Sequence, residues 1–573
     1  MKFTLLALSG LAACGVAAHD VWAEDVRLSL TFDVNVSQVG FDPNDIKEFT
    51  IRNPPAETFV VQTIDPSVQY RNVYTGRLVR VNGDLWKGDF SSVREPADYR
   101  ILCGGDMENP DVILPREYPG SSCHSFVVRT NRFDIAERFI FTFFTWQRCG
   151  SKKGWAGLCH QDPVPLYGTG RTIDVRGGYH QSGDLRCWAD GISLSLYALL
   201  RWAEVRKPRW DSGDIDEELR WGCDYFLKLV GPEGYAYDSQ FVPIGWGPRD
   251  YYPQPAAFPG QLNICCLLAR AARRFRSDGA YARRLTEVAE RMWIYIETYP
   301  GYDIPYKEMD SNLPGGCQPA SCYTQGVRES AVGYTGRALA ALELYRTTGK
   351  EAYADKAKEY GRKFLALQVA DGPYAGAYRQ TAGSDELGLK ECCYGARIHG
   401  IFTPLELYLV FGDESCKTAF LRTCDLFVRM LDADPYGSVP GYAKDALVQL
   451  KRGNPFRETL QLLTEKPPYV NNVRKGTATN LACEMQIALN EAARRFGRRD
   501  FLPYAARMRD WIYGGNPGYA CYVTGLGFNC RRRNVFGQFF PSTPSIPGGV
   551  SHVLNGEYDL PAGGMALWAI ASE

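Results

Sequence analysis

The spacing of hydrophobic and polar residues follows two different patterns along the chain. In the N-terminal part, every second residue from Val26 to Val34 is apolar, which is the period of a half-buried β-strand. Short apolar runs separated by Pro, Gly, Asn and Asp continue as far as residue 132, and such runs are typical of strands joined by turns. The pattern predicts a small all-β sandwich over residues 25–132.

From about residue 185 onward, apolar residues recur every three or four positions, as they do on one face of an α-helix. One of these runs begins at Asp214 and ends before Gly231, a residue type that commonly follows a helix. The pattern predicts eleven helices, at 190–206, 214–230, 259–276, 281–298, 328–347, 351–367, 396–411, 414–431, 478–496, 500–513 and 562–572.

A similar short hinge joins several of these helices. Each copy places an aromatic residue before a glycine and a charged residue, at 275–281 (FRSDGAY), 345–353 (YRTTGKEAY), 411–414 (FGDE) and 496–501 (FGRRDF). Repeated αα-hairpins either close into a barrel or stack into an open solenoid. Because long irregular insertions recur between the hairpins, the sequence favours an all-α (α/α)6 barrel over residues 133–573.

The first residues have the features of a secretory signal. Lys2 precedes a short apolar run, and small residues end at Ala18, so we expect a signal peptide at 1–18. A bacterial lipobox ending at Cys14 is the alternative and would leave a lipid-anchored protein. No later stretch has 18 uninterrupted apolar residues, so we expect a secreted or periplasmic protein without a transmembrane segment.

Composition excludes some partners and leaves others open. Lys and Arg total 65 and Asp and Glu total 65, giving a net charge of zero, which argues against nucleic-acid binding. Aromatic residues make up 13% of the chain, a richness common in sugar-stacking grooves and in large cores alike. We expect a monomer with a polysaccharide or oligosaccharide as its partner.

The 18 cysteines of an exported chain invite disulfides or metal binding. Three pairs are close enough in sequence to form disulfides: Cys103/Cys123, Cys317/Cys322 and Cys521/Cys530. Five others lie in helical apolar patterns and are predicted to be buried thiols: Cys223, Cys265, Cys266, Cys424 and Cys483.

Another group of cysteines is interleaved with histidines. Cys149, Cys159, His160 and His180 supply two thiolates and two imidazoles, a donor set with a tetrahedral preference for zinc. With all four ligands from the protein, such a zinc would be structural, and it would brace the turn around His180. The alternative is a disulfide between Cys149 and Cys159. No motif in the sequence indicates a calcium site, so calcium stays possible without support.

Several motifs together resemble one known family. They are the runs 37–41 (SQVGF), 88–93 (GDFSSV), 96–100 (PADYR), 146–150 (WQRCG), 177–180 (GGYH), 516–517 (NP) and 522–527 (YVTGLG). In this order they resemble the family 9 glycoside hydrolases that carry an N-terminal immunoglobulin-like domain, over roughly residues 34–572. The resemblance implies an (α/α)6 barrel, hydrolysis of β-1,4-linked glucans with inversion, and a zinc site with the Cys…Cys-His…His order seen here.

The same resemblance assigns catalytic roles. Asp184 corresponds to the base that activates water, and Glu557 to the acid that protonates the leaving oxygen, with Asp559 as a second choice. Inverting enzymes hold two such carboxyl groups roughly 6.5–9.5 Å apart. Gln181 stands where the family has an additional Asp that helps to hold the water; a neutral amide can bond water but supplies no negative charge.

A second departure concerns substrate contacts. The family's His-x-Arg pair is missing after residue 527, and the segment instead carries Arg531, Arg532 and Arg533, among which the sequence does not choose. Two alternatives to glucan hydrolysis therefore stay open. One is a β-glycosidase of the same fold with exo or amino-sugar specificity, and the other is a non-catalytic carbohydrate-binding protein.

Overall fold

The computed structural model describes residues 32–573 except for 65–69, 106–119, 167–169, 184–186, 207–212, 241–249, 256–257, 299–327, 373, 380, 384–386, 389–399, 434–478, 517–518, 531–545 and 552–557. Several predictions fall outside the described residues: the signal peptide with Cys14, the catalytic candidates Asp184 and Glu557, the arginines 531–533, and the pair Cys317/Cys322. The described chain groups into two compact units. One contains the residues up to Arg132 together with Tyr513–Cys521 and Gly527–Asn529, and the other contains the rest.

The first unit is built from strands paired in two antiparallel sheets. One sheet has the order β1-β2-β6-β5, and the other has the order β4-β3-β7-β8 with β9 also paired to β7. The strands are β1 (Val34–Asn35), β2 (Glu48–Arg52), β3 (Thr58–Thr63), β4 (Asn72–Arg77), β5 (Val79–Asn82), β6 (Leu85–Asp89), β7 (Ala97–Cys103), β8 (Ser121–Ser122) and β9 (Phe126–Val128).

The core of this unit lies between the two sheets. Phe49 on β2 meets Phe59 on β3 edge to face, with ring centroids 4.8 Å apart, and both side chains are buried. Alternate residues of the strands, such as Tyr99 and Ile101 on β7, belong to the same apolar cluster. Because one face of each sheet is apolar, the sheets pack as a sandwich, which confirms the predicted β fold for the described residues.

A segment from near the C-terminus completes this unit. The side chain of Gln38 donates from Nε2 to the Tyr519 carbonyl (2.7 Å) and accepts at Oε1 from the backbone N–H groups of Phe528 (3.1 Å) and Asn529 (3.2 Å). The His124 ring stacks on Phe528, with centroids 4.4 Å apart. The sandwich therefore includes residues that are more than 380 positions away in sequence.

The second unit is helical. Its helices are α1 (Asp134–Gln147), α2 (Ala189–Val205), α3 (Gly213–Leu229), α4 (Phe258–Arg274), α5 (Gly279–Thr298), α6 (Ala331–Thr348), α7 (Glu351–Leu365), α8 (Phe402–Phe411), α9 (Glu414–Ala433), α10 (Thr479–Phe496), α11 (Leu502–Ile512) and α12 (Leu560–Ala571), with a 3₁₀ turn at Arg499–Phe501. Short strands lie between them at β10 (Val164–Leu166), β11 (Arg171–Ile173), β12 (Tyr237–Gln240), β13 (Asp250–Pro255), β14 (Tyr378–Arg379) and β15 (Leu387–Gly388).

The helices alternate between an inner and an outer layer. The inner helices α2, α4, α6 and α12 are buried on nearly every face, whereas the outer helices α5 and α7 bury only one stripe. The inner helices contact one another in the order α2, α4, α6 and α8, and α12 packs on both α10 and α2. This is the predicted (α/α)6 barrel, and its burial pattern follows the periodicity seen in the sequence.

Two copies of the recurring hinge end a helix with a glycine. Gly349 after α6 and Gly412 after α8 each have a φ of 69°, and their N–H groups bond to Tyr345 and Tyr408, respectively. A left-handed residue at this position satisfies a carbonyl that the helix leaves open. All eleven predicted helices are present among the described residues, with ends that differ by up to six residues. Residues 396–399 of one predicted helix lie outside the described residues, and the prediction missed α1.

The disulfide predictions are wrong where the structure describes them. Among the described residues, Cys103, Cys123, Cys521 and Cys530 form no disulfide. Burial raises the pKa of Cys123 to about 12, so this thiol is protonated and packs as a small apolar side chain. The buried-thiol prediction is confirmed for all five members of its set: Cys223, Cys265, Cys266, Cys424 and Cys483.

The inner helices also bury an ion-pair network around Glu343 on α6. Glu343, fully buried, pairs with Arg270 (2.7 Å to Nη1) and with Arg273. Arg346 joins it at 3.5 Å and extends to Glu406 at 2.7 Å. Buried charges are tolerated when they are paired in this way.

No helix among the described residues combines the length and the apolar character needed to cross a bilayer.

Candidate active site and metal centre

The site begins where α1 ends. Gln147 is its last residue, and the chain then enters a loop at residues 149–160, called the metal loop below. Gly150 has a φ of 72°, a conformation that suits glycine, and its N–H donates to Cys159 Sγ at 3.1 Å. The tight turn thus brings the two ends of the loop, Cys149 and Cys159, together.

The four predicted ligands converge. Their donor atoms all lie within 4.8 Å of one another. Cys149 Sγ is 3.4 Å from Cys159 Sγ and 3.3 Å from His160 Nδ1, and Cys159 Sγ is 3.4 Å from His180 Nε2. Because a disulfide bond is about 2.05 Å long and the two sulfur atoms are 3.4 Å apart, the alternative of a Cys149–Cys159 disulfide is wrong.

Three of the separations between these atoms, at 3.3–3.4 Å, match those around a tetrahedral ion. Ligands placed 2.0–2.3 Å from a central zinc in a tetrahedron are separated from each other by about 3.3–3.8 Å. Cys149 and His180 are fully buried, and the site lies at the end of α1 rather than in open solvent. Hydrogen bonding with Cys149, and then with His160 and His180, lowers the pKa of Cys159 to about 2 despite its burial. A thiolate of this kind is the form of cysteine that binds metal.

A turn at residues 177–183 leads from this cluster toward α2. Cys149 N–H donates to the Gly178 carbonyl (3.0 Å), and His180 N–H donates to the Gln147 carbonyl (2.8 Å). Gly178 has a φ of 71°, and a Cβ there would lie 2.9 Å from the Tyr225 ring, so only glycine fits. The turn is therefore fixed against the end of α1 by backbone hydrogen bonds.

A buried acid braces the same region from α3. Glu218, with no exposed side-chain surface, accepts two hydrogen bonds from Arg148, at 3.0 and 2.9 Å. The Tyr179 hydroxyl donates to Glu218 Oε1 at 2.8 Å, and burial raises the pKa of Tyr179 well above its usual value. Sequence reasoning missed Glu218 because its partners Arg148 and Tyr179 lie 70 and 39 residues away and no local pattern marks it.

Gln181 lies at the junction of two elements. Its backbone carbonyl accepts a hydrogen bond from Leu560 N–H, at the start of α12 (2.9 Å). Its side chain rests on the first turn of α2, where a Cβ on Gly191 would lie 2.1 Å from Gln181 Oε1. That oxygen is buried and has no hydrogen-bond partner among the described residues.

The last helix has a capped start. Asp559 Oδ1 accepts a hydrogen bond from Ala562 N–H at 2.8 Å, so Asp559 is the N-cap residue of α12. The capping role gives this carboxylate a structural function. Glu557, two positions earlier, and Asp184, three positions after Gln181, are outside the described residues.

Comparison with known proteins identifies the family. Residues 134–536 match the sequence profile of glycosyl hydrolase family 9. The chain belongs to this family. The matched range begins at α1 and includes both the metal loop and the turn that leads to Asp184.

The relatives of this family 9 hydrolase are distant. The xyloglucan-specific endo-β-1,4-glucanase BoGH9A of Bacteroides ovatus is 21% identical over 563 residues, which cover 91% of this chain and 84% of that protein. Endoglucanase 15 of Arabidopsis thaliana is 28% identical over 210 residues, covering 33% of this chain and 39% of the plant protein. The second match spans well under half of the plant enzyme's length.

Solved structures show the same fold. The Bacteroides ovatus GH9 structure matches with a TM-score of 0.67 at 18% identity, covering 95% of this chain and 98% of that one. A Zn-binding triple mutant of the family 9 endoglucanase J30 matches with a TM-score of 0.65 at 18% identity, covering 92% and 99%. The family 9 hydrolase described here thus shares its fold with these structures.

Proposed function

We propose that this protein is a secreted inverting glycoside hydrolase that cleaves β-1,4-linked glucan, with Asp184 as the base and Glu557 as the acid. The observation that carries the proposal is the hydrogen bond from Leu560 N–H to the Gln181 carbonyl. Gln181 precedes Asp184 by three residues, and Leu560 follows Glu557 by three. The two segments that bear the carboxyl groups are thus tied together at a backbone contact, as a two-carboxylate site requires.

The chemistry assigns each group one task. The Asp184 carboxylate accepts a proton from a water molecule as that water attacks the anomeric carbon. Glu557, in its protonated form, gives its proton to the glycosidic oxygen as the bond to carbon breaks. The attack and the departure occur on opposite faces of the sugar, so the anomeric configuration inverts.

Gln181 has a supporting role in this proposal. Its buried Oε1 has no partner among the described residues, and a buried acceptor of this kind favours a bound water. An amide oxygen accepts a hydrogen bond from water without adding charge to the site. The base in this chain therefore works beside a neutral neighbour rather than beside a second carboxylate.

The metal loop holds a structural ion in this proposal. Cys149, Cys159, His160 and His180 fit zinc by donor type and spacing, and four protein ligands leave no open position for substrate or water. The ion would fix the metal loop against the turn of residues 177–183. We also propose the domain boundaries of the sequence interpretation, with a sandwich at 25–132 and the hydrolase at 133–573.

The test is reducing-sugar release from a panel of soluble glycans: carboxymethylcellulose, xyloglucan, mixed-linkage β-glucan and chitin oligosaccharides. Asp184→Asn and Glu557→Gln should each lower kcat on the β-1,4-glucans by at least 100-fold while the protein stays folded. The exposed Asp371 supplies a matched control, and Asp371→Asn should leave kcat unchanged.

Proton NMR of the first products gives the stereochemistry, and the α-anomer should appear first. Release from chitin oligosaccharides alone would replace glucan with an amino-sugar substrate. Binding to the glycans without release of reducing sugar would leave the carbohydrate-binding protein as the better description.

A further inference from the structure

The carboxamide of Gln147 joins the metal loop to the turn of residues 177–183. Gln147 is fully buried. Its Nε2 donates to the Ser182 carbonyl at 3.0 Å, and its Oε1 accepts from the indole N–H of Trp155 at 2.7 Å. One side chain thus contacts both loops, at points that are 27 residues apart in sequence.

The two partners define the orientation of this amide. An indole N–H can only donate, and a backbone carbonyl can only accept. Gln147 therefore has to direct its oxygen to Trp155 and its nitrogen to Ser182. The Trp155 hydrogen bond sets which end of the amide faces the turn.

The backbone of Gln147 holds the same turn. Its carbonyl accepts a hydrogen bond from the backbone N–H of His180 at 2.8 Å. The backbone of Gln147 therefore binds residue 180, and its side chain binds residue 182. Trp155 is itself positioned by a hydrogen bond from its backbone N–H to the Trp146 carbonyl (2.8 Å). Its ring meets the His180 ring edge to face, with centroids 5.7 Å apart.

We propose that Gln147 is a positioning residue for the catalytic turn, with Trp155 acting through it. The role of Asp184 on which this inference rests is the one given under the proposed function. Ser182 is two residues before Asp184, so the Gln147 hydrogen bond acts on the backbone that leads into the base. Misplacing a catalytic group by about 1 Å can cost about 100-fold in rate.

Two variants separate the effect of the amide hydrogen bonds from the effect of side-chain size. Gln147→Met keeps the length and removes both hydrogen bonds, and Trp155→Phe removes only the indole donor. For Gln147→Met we expect kcat on a soluble β-1,4-glucan to fall about 10- to 100-fold with KM changed less than about twofold. Trp155→Phe should lower kcat less, and the double variant should match Gln147→Met alone, because Trp155 acts through Gln147.

Two buried residues elsewhere in the helical unit serve as matched controls. Gln486 on α10 donates to Glu573 Oε1 at 2.8 Å, and Trp293 on α5 packs against Tyr353. Gln486→Met and Trp293→Phe should lower the stability without changing kcat. If these controls reduce kcat as much as Gln147→Met does, the effect is general destabilisation and the inference is wrong.

A second measurement does not depend on turnover. Hydrogen–deuterium exchange of a peptide spanning residues 178–188 should be at least threefold faster in Gln147→Met than in the wild type and unchanged in Gln486→Met. Unchanged exchange in Gln147→Met would overturn the inference even for an active enzyme. Faster exchange in a protein that hydrolyses no glycan would instead retain the role of Gln147 in the turn and reject the proposed function.

Discussion

The helical unit buries two polar clusters that are neutralised in different ways. Around Glu343, carboxylates and guanidinium groups face each other, so each charge finds its counterpart when the inner helices pack. In the second cluster, Cys149, Cys159 and His160 of the metal loop face His180 of the neighbouring turn, and all four are groups that can bind a cation. The first cluster is complete when the chain folds, whereas we expect the second to gain its full stability only when the proposed zinc is bound.

The largest expected effect that separates the two clusters is the response to metal removal. When the free zinc concentration is 1,000 times the Kd, binding stabilises the folded state by about 4 kcal/mol. A chelator should therefore lower the free energy of unfolding, measured in urea, by about that amount. Cys159→Ser should abolish the response, and Cys223→Ser, at a buried thiol on α3, should keep it. Identical urea curves with and without chelator for the wild type would contradict a structural metal.

The next effect should appear only in the ion-pair cluster. Glu343→Gln removes the carboxylate with which the buried Arg270 and the partly buried Arg273 both pair, and breaking a buried pair costs about 3 kcal/mol or more. The chelator response should be the same as in the wild type. On the surface of α7, Glu359 pairs with Lys356 and Lys363, and Glu359→Gln should cost less than about 1 kcal/mol. Equal costs for the two variants would mean that burial does not strengthen the network.

The smallest effect is a dependence on pH. Arg270, Arg273 and Arg346 lower the pKa of Glu343 to about 2, against the opposing effect of its burial. A lowered pKa means that the stabilisation is present above the unfolded-state value of about 4.3 and is lost as the pH falls toward 2. The wild type should therefore lose about 1.5–2 kcal/mol between pH 7 and pH 3 relative to Glu343→Gln. Parallel losses in urea titrations at pH 7, 4.5 and 3 would show that Glu343 does not titrate there.

Residue types predicted the metal loop better than they predicted the disulfides. Cys149, Cys159, His160 and His180 combine two donor types in a spacing that few other arrangements use, and they do converge. Proximity in sequence was the only argument for Cys103 with Cys123, and it says nothing about the geometry that a disulfide needs. Both thiols instead lie in the apolar core of the sandwich.

The missed helix α1 shows the limit of periodicity. Its run 139–145 (FIFTFFT) is rich in aromatic and β-branched residues, which favour strands when taken alone. Packing against α12 decides for a helix, because Ile140, Phe143 and Phe144 meet the small residues of that helix around Gly563. Such a tertiary contact has no local signature.

Gln147 escaped prediction for a related reason. It stands in the motif 146–150 (WQRCG), which marked the family but gave no role to this residue. Its partners Trp155 and Ser182 become neighbours only after the metal loop and the turn have formed. The residue type alone suggests a role for many glycines, cysteines and charged residues. It suggests none for a neutral amide that links two loops.

Because the sandwich includes residues from near the C-terminus, it can be completed only late in synthesis. Gln38 cannot form its hydrogen bonds to Tyr519, Phe528 and Asn529 until almost the entire chain has been made. At 5–20 residues per second the ribosome needs about 25 to 100 s to extend the chain from residue 38 to residue 529. Until then Phe32 and His124 lack the aromatic partners Tyr519 and Phe528. The first unit to be translated is therefore among the last to be completed. The nascent chain carries an uncovered aromatic surface for most of its synthesis.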